Sequence, residues 1–468
     1  MTGSELPSGW SYLPLLDCGE WFGGGTPSKS KSEYWSNGTI NWLSPKDMGE
    51  LILTDTQDRV TVAAIANSAT RLIEGPSVAL VVRSGILERT LPVAVVPFST
   101  TLNQDMRAVI VSGIASPKWI AYCLKARERE ILARCRKAGT TVASIETPRL
   151  MQFEIPVAPI AEQERIVVEL ERRLSHVDQA ILDLKAAAIK VKQLREAILW
   201  SAVFPSLGGV DVRGLPALLD GWEWTTLGAV AEVVGGVTKD AKRQSDPRFV
   251  EVPYLRVANV QLGFLKLDEV TTIRVHPDKV KALRLESGDI LFNEGGDRDK
   301  LGRGWIWEGQ VDDCIHQNHV FRARLKEPRL HPKFVSWVGN TFGRRWFEAA
   351  GKQTTNLASI NKTVLESFPV PMPPPGAASK IVADVERRLS LVEAASGSIS
   401  ENLGKAASLR RSLFAAAFSG KLVPQDHSDE PADVLLARIR EEHATADDAA
   451  KGKTAGRGAP RKKKEATA

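Results

Sequence analysis

The chain repeats itself. Ala143-Ser144-Ile145 returns as Ala358-Ser359-Ile360, an offset of 215 residues. The same offset carries Pro117-Lys118 onto Pro332-Lys333, Phe153 onto Phe368, Pro159 onto Pro374 and Ile166-Val167 onto Ile381-Val382. It also carries Glu171-Arg172-Arg173-Leu174-Ser175 onto Glu386-Arg387-Arg388-Leu389-Ser390. At the front of each half the offset is 212: Gly9-Trp10 meets Gly221-Trp222, Gly24 meets Gly236, Thr26 meets Thr238 and Leu43 meets Leu255. The halves therefore differ by a net three residues in their loops. A period this long is a tandem duplication of whole domains, because solenoid units run to only about 20–45 residues.

Each half has the same internal order. A region rich in turns and short apolar runs comes first, from Gly9 to Pro159 and from Gly221 to Pro375. Within it Ser77–Val82, Val93–Val96, Val109–Val111 and Asp289–Phe292 read as strands. Ser116-Pro117 and His331-Pro332 read as helix starts, since the fixed φ of proline suits a first turn. A long helix then closes each half. Leu170, Leu174, Val177, Ile181, Leu184, Ala188 and Val191 follow one another by alternating steps of four and three, a heptad seam. The second copy keeps the register with Val385, Leu389, Val392, Ser396, Ile399, Leu403 and Ala406, and Gly397 and Gly404 make it the softer helix. Two seams of one register in one chain are most simply each other's partner. The expected class is α+β. A first mixed domain spans residues 1–159, a helical spacer 160–205, a linker 206–220, a second mixed domain 221–375 and a second spacer 376–425, with a charged, disordered tail expected over 426–468.

Composition narrows the setting. Hydrophobic residues make up 43% of the 468 and charged residues 25%, ordinary values for a globular protein. No run of about 18 apolar residues predicts a membrane span, and residues 1–10 lack the apolar core of a secretory signal. Cys18, Cys123, Cys135 and Cys314 form no C-x-x-C pair, which argues against a disulfide scaffold or zinc ribbon and for the reducing cytoplasm. The net charge of +6 sits in the tail: residues 451–468 hold seven basic side chains and one acid. The remainder is neutral, so the basic pI does not mark the folded part as a nucleic-acid binder, and the tail reads as a solvated charge run.

The chain carries no recognisable catalytic motif. There is no G-x-x-x-x-G-K-[ST] loop for ATP, and neither Gly23-Gly24-Gly25 nor Gly295-Gly296 fits a dinucleotide fingerprint. There is no N-P-P-[FY] or D-P-P-[FY] tetrapeptide of an amino-methyltransferase. His176, His276, His316, His319 and His331 lack metal-ligand spacing, so no metal site is expected. Catalytic triads are recognised by geometry and not by order. The expectation is a chain that is not an enzyme.

A duplicated chain with two mixed domains, each followed by a heptad helix, resembles the specificity subunit of type I restriction-modification systems. Pro159-Ile160-Ala161-Glu162-Gln163-Glu164-Arg165-Ile166-Val167 looks like the family's P-x-x-E-Q-x-x-I-V helix start, and Leu409 to Leu422 like its closing motif. Gly288-Asp289-Ile290-Leu291-Phe292 looks like its G-D-I-L strand, and Leu102-Asn103-Gln104-Asp105 and His316-Gln317-Asn318 like its N-Q or Q-N strand. In the second helix Ala377-Ala378 replaces Glu162-Gln163, a departure from the pattern.

The resemblance implies that each mixed domain is a target-recognition domain reading half of a split site in double-stranded DNA, while the helices pair antiparallel as a coiled coil. It implies no cofactor in this chain: S-adenosylmethionine would sit on two methyltransferase subunits, and ATP and Mg on restriction subunits. Base edges are read by Arg, Lys, Asn and Gln, and phosphates are held by any basic or polar group. The first domain offers Lys29, Lys31, Lys46, Arg83, Gln104, Lys137 and Thr140. The second offers Lys239, Arg243, Arg256, Asn259, Arg298, Lys300, Arg303, Lys352, Gln353 and Asn356. The tryptophans, Trp10 and Trp222 among them, read as core, since flipped bases belong in methyltransferase pockets. Val167, Ile189 and Ile198, with Ala187 and Ala197, are the expected docking face of the first helix. At about 1.5 Å per residue, Ala161 to Leu199 makes a rod of roughly 58 Å, long enough to leave unread base pairs between half-sites. A self-contained DNA methylase or nuclease, and a coiled-coil scaffold for proteins alone, are the competing readings.

Overall fold

A computed structural model of the chain describes residues 6–139, 141–204, 215–240, 244, 247–296, 300–353 and 358–441. The chain forms two compact units. One joins residues up to Asp183 with those from Leu403 onward, and the other comprises Leu184–Asn402. The division falls inside both long helices, Ile160–Val203 and Ala377–Ala417.

In the first unit β1 (Gly19–Gly23), β2 (Ser77–Val81), β3 (Val93–Val96) and β4 (Met106–Val111) form an antiparallel sheet ordered β1-β4-β2-β3. Every residue of β2 and β3 is buried, so these strands are continuous apolar runs and not alternating ones. Helix α1 (Pro117–Ala126) starts where Ser116 accepts a hydrogen bond from the Trp119 N–H at 3.1 Å. Trp119, Ile120, Cys123 and Leu124 of α1 are fully buried. A second sheet pairs Ile40–Leu43 in parallel with Thr100–Leu102, Leu43 opposite Leu102. Ser11–Pro14 pairs with Glu154–Val157 and closes the domain, directly before helix α2 (Ile160–Val203).

The second unit repeats this plan. Strands β5 (Ala231–Gly235), β6 (Ile290–Asn293), β7 (Gly304–Ile306) and β8 (Val320–Leu325) are ordered β5-β8-β6-β7. Leu255 runs parallel to His316, as Leu43 does to Leu102. Glu223–Thr226 pairs with Pro369–Met372 ahead of helix α4 (Ala377–Ala417), and helix α3 (Pro332–Asn340) is capped by His331. Lys118 binds Glu171 at 2.8 Å in the first unit, and Lys333 pairs with Glu386 in the second, so each domain is tied to the helix that follows it.

Both units bury helix seams. In the first, Leu170, Leu174 and Val177 share one core with Leu413 and Ala417, Asp178 pairs with Arg410, and Phe418 packs edge-on against Trp119 with ring centroids 4.9 Å apart. In the second, Ile198, Leu199 and Val203 share a core with Val385, Leu389 and Val392. Ile181, Leu184, Ile399 and Leu403 are half-buried. Ala188 is exposed and Ala187 takes its expected place, because an α-helix turns through 3.6 residues and drifts from a strict seven-residue repeat. The tryptophans Trp10, Trp42, Trp119, Trp307 and Trp337 are core residues. No described helix is long and apolar enough to cross a membrane.

The tail expectation needs correction. Residues 432–441 are helical, and Ala432, Leu435 and Leu436 are buried, the i, i+3, i+4 face of a docked helix. The Ala432 N–H donates to the Gly9 carbonyl at 2.8 Å, and Arg165 pairs with Asp429 at 2.5 Å. The charged stretch 451–468 lies outside the described residues, as do Thr140, Arg243, Arg298 and Asn356.

Candidate nucleic-acid interface

In the first unit, the loops leaving β1 and β2 and the loop entering β4 meet at one end of the sheet. The approach is close because Gly24 has no side chain: a Cβ there would overlap the Asn103 carbonyl. Gly25 donates to the Leu102 carbonyl at 2.8 Å, Asn103 Nδ2 donates to Thr26 Oγ1 at 3.4 Å, and the Thr26 hydroxyl donates to Gln104. The backbone of Arg83 donates to the Asp105 carbonyl at 3.3 Å, and its guanidinium lies 3.9 Å from the Asp105 carboxylate. Lys137 N–H donates to Ser144 at 2.8 Å, and Arg83 bridges to the same residue. The fold thus gathers Arg83, Gln104 and Lys137, all exposed, from segments far apart in sequence. Lys29 is exposed on the turn beyond Thr26. Lys31 is held by Tyr34, its ammonium donating to the phenol oxygen at 3.1 Å and lying over the ring. Lys46 follows Leu43 and is ion-paired with Asp58 at 2.9 Å.

The second unit builds the same end from other residues. A Cβ on Gly236 would overlap the His316 carbonyl, and the Val237 N–H donates to that carbonyl at 2.9 Å. Glu294 accepts from the Ile360 N–H at 2.8 Å, and its carboxylate pairs with His319. Gly295-Gly296 pairs with Ala358-Ser359, which in turn pairs with Lys352-Gln353. Lys239 is exposed here, while Lys300 and Arg303 are half-buried, with the Arg303 carbonyl accepting from Asn293 at 3.0 Å. Arg256 is half-buried and its N–H donates to Asn259.

Asn259 has another job. It is 3% exposed, and its amide donates to the carbonyls of Lys266 and Glu269, both at 2.9 Å. Those bonds staple a loop and leave no donor for a base, a local side-chain-to-backbone pattern that sequence alone does not separate from an exposed reader. Arg107, which the sequence did not single out, lies beside Gly23 at the start of β4. Its place in an otherwise apolar strand was the available signal.

Titration at this end is set by burial. His316 is fully buried; desolvation pushes its imidazole down to about 4, against the pull of its Nδ1 hydrogen bond to the Val320 carbonyl at 2.6 Å. Burial pushes the Cys123 and Cys314 thiols up to about 12, which makes them poor nucleophiles. Among the described residues, no three His, Cys, Asp or Glu side chains converge to hold a metal. What the site offers is hydrogen-bonding cations and amides on stapled loops, groups able to meet phosphates and base edges.

The family profile described as a type I restriction modification DNA specificity domain matches residues 7–191. The EcoR124I/EcoR124II type I restriction enzyme specificity subunit of Escherichia coli is 46% identical over 161 residues, covering 34% of this chain and 40% of that relative. The StySPI type I restriction enzyme specificity subunit of Salmonella potsdam is 24% identical over 95% of this chain and 97% of its own length. A solved chain from work on complex assembly and conformational transition of a type I restriction-modification system shares the fold, with a TM-score of 0.69 at 18% identity over 90% of this chain and 100% of its own. These matches make the chain similar to type I restriction enzyme specificity subunits, most strongly within residues 7–191 and more distantly along nearly its whole length.

Proposed function

We propose that each mixed domain reads one half of a bipartite site in double-stranded DNA, that α2 and α4 pair antiparallel as a coiled coil to set the gap, and that two methyltransferase subunits dock on the helices. Restriction subunits complete the complex, and S-adenosylmethionine, ATP and Mg reside on those partners. One observation carries the reading: the same strand order presents, at the same end of each sheet, loops whose polar side chains differ between the copies. A shared scaffold with different reading residues is what two unlike half-sites require. Support for helix pairing comes from the shared cores, in which the beginning of one helix accompanies the end of the other. The docking face shifts from the expected one. Val167 and Ile198 are buried within their own units, whereas Val168, Leu182, Ile189 and Leu194 are exposed.

The test is domain exchange. Replacing Gly221 to Pro375 with the equivalent region of a relative should change one half of the methylated site and leave the other half and the gap unchanged. Methylation mapping that finds both halves altered refutes the reading. A co-purified complex with a single methyltransferase subunit refutes the docking stoichiometry.

A further inference from the structure

The two copies differ at the start of their long helices, and the difference leaves a buried carboxylate. Glu162 corresponds to Ala377 in the second copy. It is 1% exposed, and Oε2 accepts the Trp10 indole N–H at 3.0 Å. Its other oxygen, Oε1, makes no hydrogen bond of ordinary geometry, although the Gln425 side chain and the Arg165 guanidinium lie near enough to act on the carboxylate. Arg165, one turn along α2, is committed to Asp429. Glu162 opens into a cavity of about 330 Å³ in the first unit, walled also by Asp426, Asp429 and Asp433 and by the apolar rings of Pro159 and Pro431. The returning segment forms one wall, fastened where Gln425 Nε2 donates to the Ser8 carbonyl at 3.2 Å. Glu162, Asp426 and Asp433 make no ion pair among the described residues; Asp426 accepts from the Ser428 N–H and hydroxyl at 2.9 and 2.7 Å, Asp433 from the Val434 N–H at 2.9 Å, and His427 also lines the cavity.

A buried carboxylate is tolerated when paired, so this geometry asks for a cation. A bare divalent ion does not suit it, since no three ligating groups converge among the described residues. A planar or tetrahedral nitrogen cation on a short stem does: its N–H groups meet carboxylates and its methylenes lie against proline rings. We infer that this cavity is a binding site for an organic cation, a guanidinium or alkylammonium group, received by Glu162 with Asp426 and Asp433. That chemistry has two sources, the seven basic side chains between Lys451 and Lys464 of this chain and basic groups from outside it. The inference does not depend on how the chain reads DNA.

The experiment titrates n-propylguanidinium into the full-length chain by calorimetry. Saturable binding at one site is expected, weakened about tenfold or more by Glu162→Gln, which keeps an acceptor for Trp10. Asp433→Asn, at an exposed position, should weaken it several-fold without changing the melting temperature. This second variant decides the matter if the Glu162→Gln protein folds poorly. A full-length form with the seven basic residues changed to Gln separates the sources. Tighter probe binding there makes the tail the occupant, and unchanged binding makes the source external; either supports the site. No saturable binding to either full-length form, or equal affinity for the wild type and both carboxylate variants, overturns the inference.

Discussion

His316 occupies the place that Leu102 holds in the first copy. Val237 donates to one carbonyl and Gly25 to the other, at 2.9 and 2.8 Å. A buried imidazole there is neutral in the folded state, with its pKa down at about 4, below the ordinary unfolded value of about 6.5. The unfolded chain therefore takes up the proton first. Stability is fully present above about pH 6.5 and is lost as pH falls toward 4, by on the order of 3 kcal/mol. Calorimetric melting between pH 7 and pH 4 should show this loss in the wild type and a smaller one in His316→Leu, which installs the residue the first copy carries. An equal acid sensitivity of the two proteins contradicts the assignment. On the proposed reading face, Arg83→Ala should weaken DNA binding by the assembled complex by about 1–3 kcal/mol if Arg83 holds a base edge. If it holds a phosphate, the loss should be uniform across sequences, with the salt slope reduced by about one.

Among the elements, the glycine crossings and the returning C-terminal helix show what the loops demand. Gly24→Ala places a methyl group on the Asn103 carbonyl, and relieving that overlap should cost about 1–3 kcal/mol. The same change displaces Thr26 and Gln104, so methylation mapping should report weaker discrimination in one half-site only. The 432–441 helix is held by Leu435, Leu436 and the Ala432 hydrogen bond to Gly9. Leu436→Ala should cost about 2–5 kcal/mol of stability in the first unit, read by denaturant unfolding. A variant as stable as the wild type contradicts the packing described for this helix.

For the whole molecule, the proposed ruler makes a geometric prediction. Helix α2 has 44 residues, a length of about 66 Å at 1.5 Å per residue. Four residues inserted near Pro205, a position outside the described residues, add about 6 Å as one further helical turn. DNA rises about 3.4 Å per base pair, so the gap between half-sites should lengthen by one or two base pairs. Both half-sites should stay the same, because no reading loop changes. The insertion belongs there and not in mid-helix, where four residues would break the seam register. An active variant with an unchanged gap, or an altered half-site, refutes the ruler.

The duplication, the helix starts at Ser116 and His331, the strands at Val93–Val96 and Ser77–Val81, and the seam from Leu170 to Val177 were all legible in the chain itself. Each rests on local chemistry: capping, apolar runs, and heptad spacing that holds over short lengths. Long-range contact decided the rest. Asn259 and Gln104 are both polar residues in loops, yet one is a buried staple and the other an exposed candidate reader. Val167 was expected on the docking face and is buried, and the stretch after 426, expected to be disordered, holds a docked helix. A helix face or a charged run shows what it could bury, but the neighbour that buries it comes from hundreds of residues away. Only the tertiary structure pairs Arg165 with Asp429 and leaves Glu162 outside any ion pair among the described residues.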